Sequence, residues 1–408
     1  MALGRTAGGL PGKLPQLIAP RTADDCSFTA QQQAKSTAAN PAGTPGTKSP
    51  HHKLLGCPMM QKDQQAAVPE ILPCPVTSDE LPEALHIYFG ENRRGEHFIN
   101  PWTEPLSDRF ADFLRWRRSA NPFAREKRQR PSIEVLSHPS TRYLKLPEGG
   151  RIAWLGHASV LAQVGRLSVL IDPVLGRIGG LLPRKARAPM RVDELPEIQA
   201  VLISHGHYDH LCRGSLRALA RRFGDELLFI TPLGLSRYLP SSCRRRLELD
   251  WWQGLELQGT EVHLVPAQHW HKRGPFDTNK ALWGGWVVRG PCSLYHSGDT
   301  GYFGGFEAIG RVFPGLDLAV LPLGAYEPRW FMKPQHMNPR ESLQALLDLG
   351  AERMLAMHWG TFDLSDEPLD HGRQILNSAL TELGLTAERV EVLAHGASIP
   401  IQTTRKQP

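Results

Sequence analysis

The sequence predicts a mixed α/β domain built in layers, on three observations. Apolar runs of strand length follow one another from residue 150 onward. Helical patterns then alternate with such runs towards the C-terminus. Residue types that carry chemistry stand just after several of the runs, where strand ends open into a crevice. The chain has 408 residues, 41% hydrophobic and 22% charged, so most of it can bury a core. No apolar stretch approaches the ~18 residues of a membrane-spanning helix, so none is expected. Six cysteines without a C-x-x-C pair argue against a disulfide scaffold or a cysteine-only zinc module, and fit a reducing compartment. The net charge of +6 suits anionic partners such as phospholipid or nucleic acid without choosing between them.

The chain opens without recognisable elements. Residues 1–60 hold six basic and two acidic residues, +4 of the net +6. Gly, Pro, Ala, Ser, Thr and Gln dominate, leaving too little apolar surface to offset ordering entropy. Residues 1–80 are therefore read as a disordered, low-complexity extension. Its acid-poor composition also suits an organellar transit peptide, but no amphipathic helix precedes Pro11, and no compact apolar region follows Met1 as in a secretory signal. A helix is expected near 106–118, with Phe110, Phe113, Leu114 and Arg117 at i, i+3, i+4, i+7, breaking at Asn121-Pro122. After residue 150, RIAWLG, SVLAQV, LSVLID and QAVLIS read as strands. RGSLRALARRF reads as a helix, and LLFIT, EVHLVPA, WGGWVV, CSLYHSGD, LDLAVLPLG and RMLAMHWG as further strands with trailing loops. NPRESLQALLDLG carries the clearest helix signature: Asn338 can cap, Pro339 suits the first turn, Glu341 completes a capping box and Gly350 ends it.

The strongest chemical signal is Ser204-His205-Gly206-His207-Tyr208-Asp209-His210, straight after the apolar run Ala200-Val201-Leu202-Ile203. Three imidazoles and a carboxylate are ligands for a borderline metal such as zinc. His205, His207 and Asp209 fall at i, i+2, i+4, so an extended strand end points them one way, and His210 can turn back as the chain leaves the strand. Further candidates stand at comparable places: His269 and His271 after EVHLVPA, Asp299 after CSLYHSG, and His358 after RMLAM. Each alone could be a satisfied, half-buried polar side chain; a series of such strand ends is hard to explain that way.

Taken together these motifs resemble the metallo-β-lactamase superfamily from about Arg151 to His395. The resemblance implies an αββα sandwich carrying two metals at one edge, with Asp172 in LSVLIDP bracing the metal loop. A narrower resemblance, over about 97–400, is to the N-acyl-phosphatidylethanolamine phospholipase D family. It rests on INPW (99–102), WLGHASVL (154–161), SHGHYDHL (204–211), PAQHWHKR (266–273), GDTGY (298–302), AYEPRWFMKPQHMNP (325–339) and MHWGTF (357–362). It implies two zinc ions: His205, His207 and His269 on one, Asp209, His210 and His358 on the other, and Asp299 bridging both. His271 departs from the family pattern, as a bystander or a support. Three parts follow: the extension over 1–80, a family-specific segment over 81–150 packing on the core, and the hydrolase domain over 151–402.

The implied chemistry is hydrolysis of a phosphodiester, because paired zinc ions make hydroxide available near neutral pH and stabilise charge on phosphorus. Asp299 would also orient the nucleophile, and His336 in KPQHMNP would contact the phosphate or leaving group. Trp330, Phe331 and Met332 beside Arg329 and Lys333 are expected to bind substrate, as an acyl-chain groove with a cationic rim. Trp251 and Trp252 read as core, and Arg244-Arg245-Arg246 as a solvated face. The resemblance further implies a membrane phospholipid substrate, peripheral contact with intracellular membranes of Golgi or endosome type, and a possible homodimer. Competing readings are a lactonase, which would not need the EPRWFMK segment, and a nuclease, which would add an RNA-binding arm or basic stripes. No nucleic-acid partner is expected. A scaffold without turnover would show a missing ligand, and none is missing.

Overall fold

The computed structural model describes residues 69–104, 110–129, 131, 133–136 and 150–403. Through Val68, the extension expected to be disordered lies outside the described residues. Its last part does not behave as an extension. Ile71–Leu72 forms a strand, β1, that joins the edge of a sheet. Two apolar residues between prolines are too short a run to stand out in such a composition.

The remaining strands are β2 (Arg93–Arg94), β3 (His97–Phe98), β4 (Gly150–Gly156), β5 (Ser159–Val164), β6 (Leu167–Ile171), β7 (Ala200–Leu202), β8 (Leu228–Pro232) and β9 (Arg246–Leu249). They continue with β10 (Gly254–Leu257), β11 (Thr260–Val265), β12 (Gly285–Arg289), β13 (Ser293–His296), β14 (Leu318–Pro322), β15 (Arg353–Met357), β16 (Val390–Glu391) and β17 (Ser398–Ile401). The helices are α1 (Phe110–Arg118), α2 (Arg213–Phe223), α3 (Gly305–Val312), α4 (Arg329–Met332), α5 (Pro339–Asp348) and α6 (His371–Glu382). One sheet runs β17-β4-β5-β6-β7-β8-β9, and the other runs β1-β10-β11-β12-β13-β14-β15-β16. Each begins as an antiparallel meander and ends in parallel strands, with the change at β6/β7 and at β13/β14.

Alternation along the strands explains the layers. In β4, Ile152 and Trp154 join the core shared with Val262 and Leu264 of the other sheet. Ala153 and Leu155 point the other way, into a core with Leu216, Leu219 and Ala220 of α2. Ile309 of α3, Leu343 and Leu346 of α5 and Leu376 of α6 cover the second sheet. The result is the metallo-β-lactamase arrangement, helix, sheet, sheet, helix. The cap of α5 forms as its sequence predicts: the Asn338 side chain accepts from the Glu341 N–H at 2.9 Å, and the Glu341 carboxylate accepts from the Asn338 N–H at 3.0 Å.

Two expectations need refinement, and the basic run at residues 244–246 is a solvated face as expected. The described part of the first helix is Phe110–Arg118, and its apolar face is not core: Phe110 and Phe113 are 60% and 42% exposed. Arg244 and Arg246 are exposed, as a solvated face requires, while Arg244 pairs with Asp225 at 2.8 Å and Arg246 donates to the Cys243 carbonyl. Residues 81–104 do more than pack: Asn100 donates to the His269 carbonyl at 2.9 Å, and Trp102 to the Gln268 side chain at 3.1 Å. Trp251 and Trp252 are buried.

Candidate metal centre

Loops leaving the C-terminal ends of β6, β7, β11, β13 and β15 bring Asp172, the 205–210 segment, His269, Asp299 and His358 together. Two groups of side chains result, and Asp299 and His358 also form a smaller third group with His336. His205, His207, His269 and Asp299 form one, with ligand atoms within 4.8 Å of one another. Asp209, His210 and His358 form the other, together with His157, which the sequence reading did not single out. Asp299 joins them: its Oδ2 lies 3.8 Å from His205 Nε2, and its Oδ1 3.1 Å from both His210 Nε2 and His358 Nε2.

The donor atoms fit cations better than they fit one another. His207 Nδ1 lies 3.0 Å from His205 Nε2 and 3.1 Å from His269 Nε2. A single ring nitrogen cannot make good hydrogen bonds to both, whereas nitrogens of one tetrahedral zinc site are spaced about 3.3 Å apart. His210 Nε2, His358 Nε2 and Asp299 Oδ1 are buried yet have no aligned hydrogen-bond partner. Electrostatics agree. Burial, reinforced by neighbouring imidazoles, holds His205 and His269 well below the ordinary histidine value, and burial pushes His207 down to about 4, so these rings are neutral donors. Burial also opposes charge on His210, but Asp299, Asp172 and Asp209 outweigh it and hold that ring well above its ordinary value. Asp299 does the same for His358. The second group thus draws in positive charge, which a metal ion would supply.

Supports outside the two groups fix the rings. Asp172 is fully buried, accepts from the Ser204 N–H at 2.7 Å and the Ser204 hydroxyl at 2.5 Å, and takes the His210 Nδ1–H at 2.7 Å. In the neutral ring that a metal ion would bind, the His210 proton stays on Nδ1 and the Nε2 lone pair would be offered on the side of Asp299. His269 Nδ1 lies 3.1 Å from the Gln335 carbonyl, which can only accept, so its Nε2 is likewise free to ligate. His271 belongs to neither group. Its buried ring lies under Gly206, where a Cβ would come within 2.1 Å of it, so the loop needs glycine at 206.

A cleft of about 550 Å³ opens onto these groups. His207, Asp209, Asp299, His336 and His358 line it, with Phe113, Trp270, Met332 and Leu364 as apolar wall and Lys272 and Arg273 as cations. His336 Nδ1 lies 3.9 Å from Asp299 Oδ2, and burial pushes the ring down to about 4. Of the residues expected to bind substrate, Met332 lines the cleft. Arg329 does not serve as a rim: its Nη2 donates to both Glu341 oxygens at 2.9 and 2.7 Å, and its Nη1 to the carbonyls of Tyr326 and His336. Phe331 is buried against Trp116 with ring centroids 5.2 Å apart. Trp330 is 45% exposed beneath the Arg115 guanidinium, and Lys333 is exposed. Trp270, Lys272 and Arg273 follow His269 directly, but nothing in their residue types marks them as lining the cleft. Arg273 Nη1 donates to the carbonyls of Gly206 and Leu211, and its guanidinium lies 4.1 Å from the Tyr208 ring centroid. A larger cavity, about 750 Å³, shares Tyr208 and Arg273 with the cleft but holds none of the ligand-type residues.

Comparison with known proteins agrees with this geometry. Residues 168–359 match the family model described as a Beta-lactamase superfamily domain. The chain is 38% identical over 227 residues to a Saccharomyces cerevisiae protein named as a mitochondrial N-acyl-phosphatidylethanolamine-hydrolyzing phospholipase D, covering 52% of this chain and 48% of that one. It therefore spans about half the length of the yeast relative. It is 32% identical over 254 residues to a Caenorhabditis elegans N-acyl-phosphatidylethanolamine-hydrolyzing phospholipase D 1, covering 57% of this chain and 71% of that one. Among solved structures, an isothiocyanate hydrolase from Delia radicum gut bacteria shares the fold, with a TM-score of 0.50 at 17% identity over 61% of this chain and 98% of that one.

Proposed function

The chain belongs to the N-acyl-phosphatidylethanolamine-hydrolysing phospholipase D family of the metallo-β-lactamase superfamily and is a metal-dependent hydrolase; from that premise we propose that it is a zinc-dependent phosphodiesterase. Its proposed substrate is N-acyl-phosphatidylethanolamine, cleaved to an N-acylethanolamine and phosphatidic acid. The observation that carries this reading is the pair of ligand groups sharing Asp299 at the base of a cleft with both an apolar wall and two cations. An anionic diester with long acyl chains matches both features.

His205, His207 and His269 would hold one zinc, Asp209, His210 and His358 the other, and Asp299 both. Bound there, the ions would lower the pKa of water and stabilise charge developing on phosphorus. Water adds to phosphorus, the bond to the ethanolamine oxygen breaks, and that oxygen leaves with a proton. Asp299 is placed to accept a hydrogen bond from the attacking water and orient it. His336, neutral in this setting, is placed to donate from a ring N–H to a phosphoryl or leaving oxygen. Lys272 and Arg273 would hold the diester charge, and Phe113, Trp270, Met332 and Leu364 the first part of the acyl chains. Peripheral contact with an intracellular membrane follows from such a substrate, supported by exposed Phe113 and Trp330 and by basic Arg115. No described helix is long and apolar enough to cross a membrane.

The test offers purified protein N-acyl-phosphatidylethanolamine and phosphatidylcholine, with and without a chelator, alongside zinc analysis. Release of N-acylethanolamine that stops on chelation, with two zinc ions per chain, is the expected result. A two-zinc protein that leaves N-acyl-phosphatidylethanolamine intact would overturn the substrate, and chelator-resistant turnover would overturn the mechanism.

A further inference from the structure

We propose that His157 is the positioning residue of one metal subsite, that of Asp209, His210 and His358. The inference rests on the metal-centre reading above and adds to it. His157 lies in the turn after β4, 2% exposed, and reaches two of the three ligands of this subsite at once. Its Nε2 stands 3.0 Å from Asp209 Oδ2. Its backbone carbonyl accepts the His358 N–H at 3.0 Å. Its ring lies against the His358 ring with centroids 3.9 Å apart, and against the His210 ring at 5.4 Å.

The turn itself is held from behind. The His157 N–H donates to Thr361 Oγ1 at 2.6 Å, and its carbonyl also accepts the Trp154 indole N–H at 2.8 Å. Thr361 Oγ1 is 3.0 Å from His395 Nε2, which anchors that hydroxyl in turn. His157 has a φ of +54°, a conformation that histidine adopts uncommonly, so these contacts fix an uncommon backbone in place.

The protonation logic makes His157 a support rather than a ligand. A carboxylate oxygen only accepts, so Nε2 carries the proton towards Asp209. That nitrogen then has no lone pair for a cation. Asp209 Oδ2 is also the oxygen that faces the cluster, 3.8 Å from both His210 Nε2 and His358 Nε2. One of its lone pairs meets His157 and the other points to the subsite, so the imidazole selects which oxygen coordinates and from what direction. The other subsite has separate supports, with His269 on the Gln335 carbonyl and His205 beside Ser204 Oγ at 3.0 Å. Loss of His157 therefore acts on one subsite only.

The experiment measures zinc per chain in full-length protein dialysed against graded chelator. It compares wild type with His157→Asn and His157→Gln. Asparagine tolerates the left-handed backbone, which keeps the carbonyl bond to His358, but its side chain is too short to reach Asp209. Glutamine is long enough to donate again. Wild type should hold two zinc ions. His157→Asn should hold one of them with wild-type affinity and the other roughly 10- to 100-fold more weakly. His157→Gln should recover part of that loss, which a merely filled space would not achieve. Two zinc ions retained by His157→Asn at wild-type affinity would overturn the inference, as would a His157→Gln variant no better than His157→Asn. A crystal structure of zinc-loaded wild type gives an arm independent of variant folding. His157 Nε2 on Asp209 supports the proposal, and Nε2 within coordination range of zinc, about 2.0–2.1 Å, overturns it. Wild type that binds no zinc overturns the metal reading itself, which separates that failure from this one.

Discussion

Asp172→Asn should disable the metal centre without altering a ligand. The native carboxylate accepts three hydrogen bonds: Oδ1 from the Ser204 N–H at 2.7 Å, and Oδ2 from the Ser204 hydroxyl at 2.5 Å and His210 Nδ1 at 2.7 Å. Asparagine fits the same volume and tolerates the φ of +45° found here. Its oxygen can keep the Ser204 N–H. Its NH₂ group then occupies the place of Oδ2, where it can only donate. His210 must present a lone pair at Nδ1 instead, which moves the ring proton to Nε2. Nε2 is the atom facing Asp299 at 3.1 Å, so the variant protonates the nitrogen that should bind metal. A hydrogen bond to a charged group contributes about 1.5–3 kcal/mol. At 1.4 kcal/mol per factor of ten, its loss weakens metal binding at this subsite roughly 10- to 100-fold. Chelator-competition titration measures this directly, and circular dichroism reports whether the fold persists. Zinc affinity within about twofold of wild type, with turnover intact, would refute the tautomer argument.

Three further outcomes follow from the same geometry. Asp209→Asn and His358→Ala should each abolish hydrolysis while the melting transition is largely kept; near-normal turnover in either would overturn the site assignment. His336→Ala should lower kcat with zinc content unchanged, because Asp209, His210, His358 and Asp299 complete that subsite without it, although its ring also lies within ligand distance of Asp299 and His358; loss of zinc would make it a ligand instead. Arg329→Lys should destabilise the fold by about 2 kcal/mol, since the shorter ammonium cannot reproduce its contacts with Glu341 and two carbonyls. A raised KM for N-acyl-phosphatidylethanolamine with an unchanged melting temperature would restore Arg329 to the substrate surface.

The layers were legible because alternation and helical period are local properties. Residues 152–155 already show which side chains must face apart, and RGSLRALARRF becomes α2 over the same residues, Arg213–Phe223. The convergence of the candidate ligands was legible for a related reason. His205, His207 and Asp209 lie close in sequence, and the more distant His269, Asp299 and His358 each follow an apolar run. A ligand set of this kind has to be assembled from strand ends, because one edge of a sandwich is the place where several chain segments meet. The β1 strand escaped notice because two residues carry no period.

What the sequence concealed is pairing at a distance. His157 answers to Asp209, 52 residues later, and the intervening chain contains nothing to suggest it. Arg329 illustrates a subtler concealment. Its partner Glu341 was recognised, but for its role in capping α5, and that role accounts for only part of its carboxylate: Oε2 accepts from both Asn338 and Arg329. Once one function explained the residue, the second left no separate mark in the pattern. Helix α1 shows the same limit from the opposite side. The spacing of Phe110 and Phe113 correctly marks an apolar face, but period cannot say what covers it. Phe113 lines the cleft while remaining 42% exposed. If the substrate is the proposed phospholipid, an apolar side chain held open at the mouth of a site rich in ligand-type residues has a use that a buried one lacks: it would take an acyl chain directly from a lipid surface. Apolar periodicity therefore identifies a face that must be covered, and only its position beside Asp209 and His336 indicates that substrate can cover it.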